Sequence, residues 1–255
     1  MSFQNVVPSV SLVSIVKSGS VIGTATGFFY NRGGKLFLVT NNHVCRNDSD
    51  PSRPSIPDLL RLRLHSNPSD LTQNADYDVP LYAGSCRLWR NPPSNPTADV
   101  ALIELNLLEI TKRFTITHWQ PNDLLPPNRL LYPGEDIYIM GYPLGFYDEI
   151  HNLPVFRNAT VASMFRVPFQ GKPLFLTDGN YHPGTSGSPV ISKPKNMWVD
   201  ANGNTEFVTG TIYYLLGVHS GAYFRNHPGQ QQQPVNLGLG AAWYADLIEE
   251  TAATF

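Results

Sequence analysis

Apolar and polar residues alternate with a period of two along much of the chain. Val10-Ser11-Leu12-Val13-Ser14-Ile15-Val16 and Leu60-Arg61-Leu62-Arg63-Leu64 each direct one face to a core, the signature of half-buried strands. Gly27-Phe28-Phe29-Tyr30 and Lys35-Leu36-Phe37-Leu38-Val39-Thr40 flank Asn31-Arg32-Gly33-Gly34, which predicts a hairpin closed by the glycine pair. Asp99-Val100-Ala101-Leu102-Ile103-Glu104-Leu105 reads as a mostly apolar strand. The polar stretch from Ser66 to Asp78 reads as a loop. Residues 106–130, interrupted by Pro121, Pro126 and Pro127, read as a connection. Further short strands are expected at Asp136–Met140, Ala159–Val167, Leu174–Leu176, Ser188–Ile191, Phe207–Leu216 and Gly217–His219. The period changes only near the end, where the apolar positions of residues 241–250 suit one amphipathic helix. The pattern predicts an all-β chain in two units, residues 1–115 and 116–255, with a C-terminal α-helix.

Composition sharpens this picture. The chain has 20 Gly and 22 Pro among 255 residues, so breakers fall about every six positions and long helices are excluded. Hydrophobic residues make up 42%, enough for a sizeable core. Charged residues are 15% and the net charge is −2, with no basic stripe for nucleic acid. No apolar run approaches the ~20 residues of a membrane span. Met1 to Val7 lacks the cationic start of a signal peptide, so a cytoplasmic location is expected. Cys45 and Cys86 are expected as reduced, partly buried thiols. No His–Cys spacing suits a metal and no glycine loop suits a phosphate, so no cofactor and no metal is expected. Asn47-Asp48-Ser49 and Asn158-Ala159-Thr160 match glycosylation acceptors, and Gln230–Gln233 before Pro234 reads as a low-complexity loop.

Three segments carry candidate chemistry. His43 follows the apolar strand ending at Thr40; Asp99 opens another strand; Ser186 sits in Pro183-Gly184-Thr185-Ser186-Gly187-Ser188-Pro189. Taken singly, each has an ordinary reading as a surface histidine, a strand-start carboxylate or a turn. Together they supply a nucleophile, a base to take its proton and a carboxylate to orient that base. Gly184 and Gly187 permit a tight loop able to aim backbone amides at one point, as an oxyanion hole requires. Asp78 competes with Asp99, but Pro80 two residues on makes its segment a poorer central strand.

These segments resemble those of the trypsin-like serine peptidases of the chymotrypsin fold, most closely the HtrA-type and glutamyl-endopeptidase branches. Gly27-Phe28 with Leu38-Val39-Thr40-Asn41-Asn42-His43-Val44 is similar to the family's histidine segment, and Asp99-Val100-Ala101-Leu102-Ile103 to its aspartate segment. Gly141-Tyr142-Pro143-Leu144-Gly145 resembles a turn of the second barrel, and Pro183 to Pro189 resembles the serine loop. The order His, Asp, Ser agrees. The resemblance implies two six-stranded antiparallel β-barrels with the cleft between them and a serine endopeptidase acting on protein or peptide substrates. It implies His43, Asp99 and Ser186 as the catalytic triad, and the amides of Gly184, Thr185 and Ser186 as the oxyanion hole. The specificity pocket would come from Asn180, Tyr181 and the strand holding His219, Ser220 and Gly221, with 219–222 pairing with substrate backbone.

Departures from the family shape the expectation. Thr185 stands where zymogen-type members carry an aspartate, and no activation motif precedes residue 20, so constitutive activity is expected. Cys45 lies two residues beyond His43, which puts the family's disulfide at that loop in doubt. No peptide-binding domain of the HtrA kind follows within 255 residues, so the resemblance does not carry over the caged trimer or heat-shock role. No aspartate lies six residues before Ser186, so a preference for Arg or Lys is unsupported. Gly217-Val218-His219-Ser220-Gly221 resembles the Gly-x-His segment of glutamyl endopeptidases and picornaviral processing proteases, which implies recognition of Glu or Gln. The alternatives for His219 are contact with solvent or with Tyr181. The alternative for the whole chain is a catalytically silent domain of the same fold that binds proteins.

Overall fold

A computed structural model describes residues 3–46, 56–225 and 234–255, with only the backbone for Phe3 to Asn5. The Asn47-Asp48-Ser49 motif and the Gln230–Gln233 run lie outside the described residues. The first half contains β1 (Val10–Lys17), β2 (Ser20–Arg32), β3 (Lys35–Thr40), α1 (Asn42–Arg46), β4 (Leu59–His65), β5 (Asn74–Pro80), β6 (Tyr82–Ala83), β7 (Cys86–Arg87), β8 (Trp89–Arg90), β9 (Ala101–Leu105) and α2 (Leu107–Arg113). Five of these strands stand where alternation predicts them. The hairpin of β2 and β3 turns at Gly33 and Gly34, whose φ values of 58° and 84° lie in the left-handed region.

Three expectations change in this half. The stretch read as a loop contains β5, which pairs with β4 along its whole length. β5 is the edge of its sheet and Pro80 is its last residue, where a missing amide costs no ladder bond. The stretch read as a connection contains α2, capped by the Asn106 side chain accepting from the Glu109 amide. The strands form a seven-stranded sheet ordered β5-β4-β1-β2-β3-β9-β8, with no ladder between its two ends. β8 is only two residues long, and near that edge the Leu88 amide bonds the Leu81 carbonyl instead.

The second half contains β10 (Asp136–Gly141), β11 (Val155–Val161), β12 (Leu174–Asp178), β13 (Pro189–Ser192), β14 (Lys195–Val199), β15 (Thr205–Ile212), β16 (Leu215–Arg225), β17 (Val235–Tyr244) and α3 (Asp246–Ala252). Six strands close into a barrel in the order β10-β11-β12-β17-β16-β13, and β14 with β15 forms a separate hairpin. The architecture is mostly β and fits a chymotrypsin-like double barrel whose first member is closed less completely. The expected helix at 241–250 is shorter: Ala241 to Tyr244 belong to β17, where Ala241 to Trp243 pair with both β12 and β16 and Tyr244 with β16. Closing the barrel buries those residues between two neighbours, and that outweighs their helical spacing. Among the described residues no helix is long and apolar enough to cross a membrane.

The long apolar runs have a geometric cause. Side chains on a strand alternate between faces. Phe29, Leu36, Leu38, Ala101 and Ile103 fill the core of the first sheet. Their neighbours Phe28, Tyr30, Phe37, Val39 and Leu102 face the other way and pack with Met140, Tyr142, Leu215 and Val218 of the second half. So β2, β3 and β9 are apolar on both faces, because one face is core and the other is the seam between halves. α3 ties the chain end across that seam. Its Glu249 accepts from the Tyr30 hydroxyl at 2.6 Å and from Arg32 at 2.5 Å.

Trp119 closes the connection onto this seam. It is fully buried, exchanges backbone bonds with Phe29 and Asn31, and packs its ring edge-on to Tyr213. Trp119→Ala is expected to cost about 3–5 kcal/mol of stability, measured by equilibrium urea unfolding. A loss below about 1 kcal/mol would mean that the connection does not hold the halves together.

Candidate active site

The seam delivers His43, Asp99 and Ser186 to one place from three elements. β3 ends at Thr40, and α1 starts two residues later with His43 in its first turn. Asp99 lies two residues before β9, the neighbour of β3, so the ladder between them sets the spacing. Asp99 Oδ1 accepts from the His43 backbone amide at 2.9 Å, and Oδ2 faces His43 Nδ1 at 2.7 Å. An ionised carboxylate only accepts, so Nδ1 carries the proton and Nε2 is left with its lone pair. The Asn41 amide donates to the Asp99 carbonyl at 2.6 Å, fixing the segment from the other side. Asp78, by contrast, is paired with Arg61 on the exposed edge of the first sheet.

Burial pushes the Asp99 carboxyl up, but hydrogen bonding and charge from His43, with a further bond from Ser220, outweigh it. The group therefore sits below the usual carboxylate range and stays ionised. The Ser220 hydroxyl donates to Asp99 Oδ2 at 2.6 Å. Sequence reading placed Ser220 in the specificity pocket; the fold turns its hydroxyl to the carboxylate. No pattern around Ser220 signals this, because the contact spans 121 positions of chain.

The loop carrying Ser186 is held by a residue that sequence reading missed altogether. Thr26, fully buried on β2, bonds across the seam through both its amide and its hydroxyl. Its amide donates to the Ser186 carbonyl at 2.8 Å, and its hydroxyl donates to the Gly184 carbonyl at 2.8 Å while accepting from the Tyr142 amide at 3.2 Å. Its carbonyl accepts from the Thr40 hydroxyl. Gly187 passes so close that a Cβ there would lie 2.1 Å from the Thr26 oxygen, and its φ is 83°. A Cβ on Gly184, at φ 93°, would lie 2.4 Å from the Tyr142 carbonyl. Both positions therefore require glycine.

The Pro183 carbonyl accepts from the Leu144 amide, which orients the peptide so that the Gly184 N–H points the opposite way. Among the described residues the amides of Gly184 and Ser186 have no acceptor, whereas the Thr185 amide bonds the His182 carbonyl within its own loop. His43, Gly184 and Ser186 line one cavity of about 380 Å³. The Ser186 hydroxyl itself donates to the Ser220 carbonyl at 3.1 Å.

A second cavity of about 210 Å³ opens on the other side of Ser186, bounded by Tyr181, His182, His219, Gly221 and Phe224. Asn180 and Ser220 are not among its walls, and Asn180 is exposed. His219 is 1% exposed, and neither ring nitrogen has a partner among the described residues. Its ring stacks on Tyr181 with centroids 4.6 Å apart, so of the two alternatives to Glu or Gln recognition the structure shows the tyrosine contact. Tyr181 is braced by a 2.5 Å bond to Thr177 and fits only because Gly240 behind it has no side chain. Burial, with a smaller contribution from the charge of His43, lowers the His219 pKa to about 4. The cavity thus presents a neutral imidazole.

Cys45 is buried and its thiol is pushed up by burial, while Cys86 is exposed rather than partly buried; both are free. Among the described residues no group of three or more His, Cys, Asp or Glu could hold a metal ion.

Two outcomes are expected. Thr26→Val keeps the shape but strands the Gly184 carbonyl and the Tyr142 amide, and should cost about 2–4 kcal/mol in urea unfolding; an unchanged midpoint would show that the hydroxyl holds nothing. His219 is neutral in the folded chain down to about pH 4 but protonates near 6.5 when unfolded. Folded chains therefore bind fewer protons in that window, and stability falls as pH drops through it. The Tm advantage of wild type over His219→Gln should shrink across the same window, and a constant difference would show that the ring is not held neutral.

The model of the trypsin-like peptidase domain matches residues 25–198. No curated protein matches the chain by sequence. Among solved structures, the HtrA-type protease AlgW, in a variant with a tripeptide, covers 100% of this chain at 16% identity and a TM-score of 0.52. A serine endoprotease from Yersinia pestis covers 98% at 12% identity and a TM-score of 0.54. This chain spans 63% and 64% of those two chains, so the likeness shows a shared fold. With the family model covering well over half of the sequence, the chain belongs to the trypsin-like peptidase domains, a family of serine peptidases.

Proposed function

We propose that the chain is a serine endopeptidase in which Ser186 attacks the scissile carbonyl of a protein or peptide substrate. His43 Nε2 takes the serine proton and later gives it to the leaving amine. Asp99 holds the imidazole in the required tautomer and stabilises its positive charge. The observation that carries this reading is His43, paired with Asp99 behind it, lining one cavity with Ser186 and Gly184, whose amides are acceptor-free. The oxyanion hole is read as the amides of Gly184 and Ser186. Thr185, expected as a third donor, has its amide engaged by His182 and is left out. In the arrangement described, the Ser186 hydroxyl must turn from Ser220 towards His43 before reaction, a rotation about one side-chain bond.

Activity without cleavage of a precursor is part of the proposal. Thr26 and Leu144 already orient the peptides of the serine loop, a task that a freed N-terminus performs in zymogen-type enzymes. The primary specificity is read as Glu or Gln. A neutral, stacked His219 offers a single N–H to a side-chain oxygen, which relieves one of its two orphaned nitrogens.

One observation favours a second reading. The bond of Ser186 to the Ser220 carbonyl directs its proton away from His43, as in a silent domain that binds polypeptide without cutting it.

A fluorophosphonate probe separates the two readings. Labelling of wild type at mildly alkaline pH is expected and should vanish in Ser186→Ala, with peptide hydrolysis falling on the order of 10⁴- to 10⁶-fold. Folded wild type that takes up no probe would leave the silent reading. A peptide-library profile should then show Glu or Gln before the cut, a preference that His219→Ala erases. Cleavage after aromatic or small residues, unchanged in that variant, would rule the preference out.

A further inference from the structure

His43 stands in one of the two cavities that meet at Ser186 and not in the other. A general acid must reach the nitrogen of the leaving amine. If Ser186 and His43 work as proposed above, the cavity with His43 therefore receives the residue directly after the scissile bond. The cavity with His219 receives the residue before it.

The His43 side carries aliphatic side chains beside the polar Thr24, His43 and Ser186. Ile15, Ala25 and Val44 are buried at its base, and Ile22 and Leu144 rise at its rim, 39% and 66% exposed. Among the described residues around it, His43 is the only ionisable one. Val21, next to Ile22, and Phe146, two residues beyond Leu144, are 55% and 72% exposed. Leu144 stands in an unusual backbone state. It has φ 55°, in the left-handed region that a leucine seldom occupies, and its amide is tied to Pro183. A bulky apolar residue kept in a costly conformation with its side chain in open solvent is the kind of feature that function retains.

We propose that this cavity is a subsite for the leaving group and selects an aliphatic or aromatic residue immediately after the cut. The inference rests on the serine-peptidase reading and adds a second determinant of specificity, independent of His219. Burying a leucine-sized side chain between Ile22 and Leu144 favours such a residue over a polar one by about tenfold or more.

Acyl transfer tests the subsite apart from the primary pocket. p-Nitrophenyl acetate acylates Ser186: a bond forms between Oγ and the acetyl carbon, and p-nitrophenolate leaves as His43 takes the hydroxyl proton. The acetyl-enzyme then partitions between water and an added amino-acid amide. The α-amino nitrogen of the added amide attacks the acetyl carbon, His43 removes a proton from it and returns one to Ser186 Oγ as the ester bond breaks, and an N-acetyl amino-acid amide departs. Leucinamide and phenylalaninamide should divert at least about tenfold more acetyl-enzyme than serinamide at equal concentration. Ser186→Ala supplies the uncatalysed background. Leu144→Asn suits the left-handed backbone and should bring the ratio towards parity; because the ratio is internal to each protein, it does not depend on how fast the variant is acylated. A p-nitrophenolate burst with equal partition among the three amides overturns the subsite and leaves the peptidase reading standing. Absence of a burst from folded wild type overturns both.

Discussion

Buried peptide groups need partners, and the loop that carries Ser186 brings its carbonyls into the buried seam, away from bulk solvent. Thr26 meets that demand. One residue on β2 bonds the Ser186 and Gly184 carbonyls and the Tyr142 amide. Around it the close approach of backbones excludes any side chain at Gly184 and Gly187. The position of Ser186 depends on this buried set of bonds, which adds to the apolar seam in docking the two halves.

The same seam sets the electrostatics. Asp99 lies at its edge, partly screened from solvent, and keeps its charge because His43 and Ser220 surround it with donors. His219 lies deeper and has no such partner, so burial strips it of its proton. A carboxylate with three donors and an imidazole with none differ by hydrogen bonding more than by depth. The result is one fixed negative charge, behind His43, and a neutral ring on the far side of Ser186. The two cavities that meet at the serine are thus chemically unlike, one combining aliphatic side chains with Thr24 and His43 and one holding the stacked rings of Tyr181 and His219.

Legibility followed the range of the interactions. Hairpins, the strands around the core and the segments bearing His43, Asp99 and Ser186 announce themselves through alternation, turn residues and local motifs, all short-range signals. β5 went unread although Ala75, Tyr77 and Val79 alternate towards the core, because the polar residues between and before them and Pro80 at its end spoke against a strand. The helix expected at 241–250 shortened because Ala241 to Trp243 gain more from pairing with two strands than from a helical turn. α2 carried a readable cap, Asn106 with Glu109 three residues on, that the weak periodicity around it obscured. Ser220 and Thr26 could not be found, since each acts on residues more than a hundred positions away.

The sequence by itself determined the β-rich class, the family and the three candidate residues His43, Asp99 and Ser186, because those depend on local pattern and residue type. The tertiary structure alone decided what surrounds them. It set which hydroxyl supports Asp99, which carbonyls Thr26 satisfies, which amides of the serine loop stay free, and whether His219 meets water or Tyr181. Those outcomes turn on desolvation and on contacts across the seam between halves. Neither is encoded in the neighbours of any one residue, and both appear only when the chain has folded back on itself.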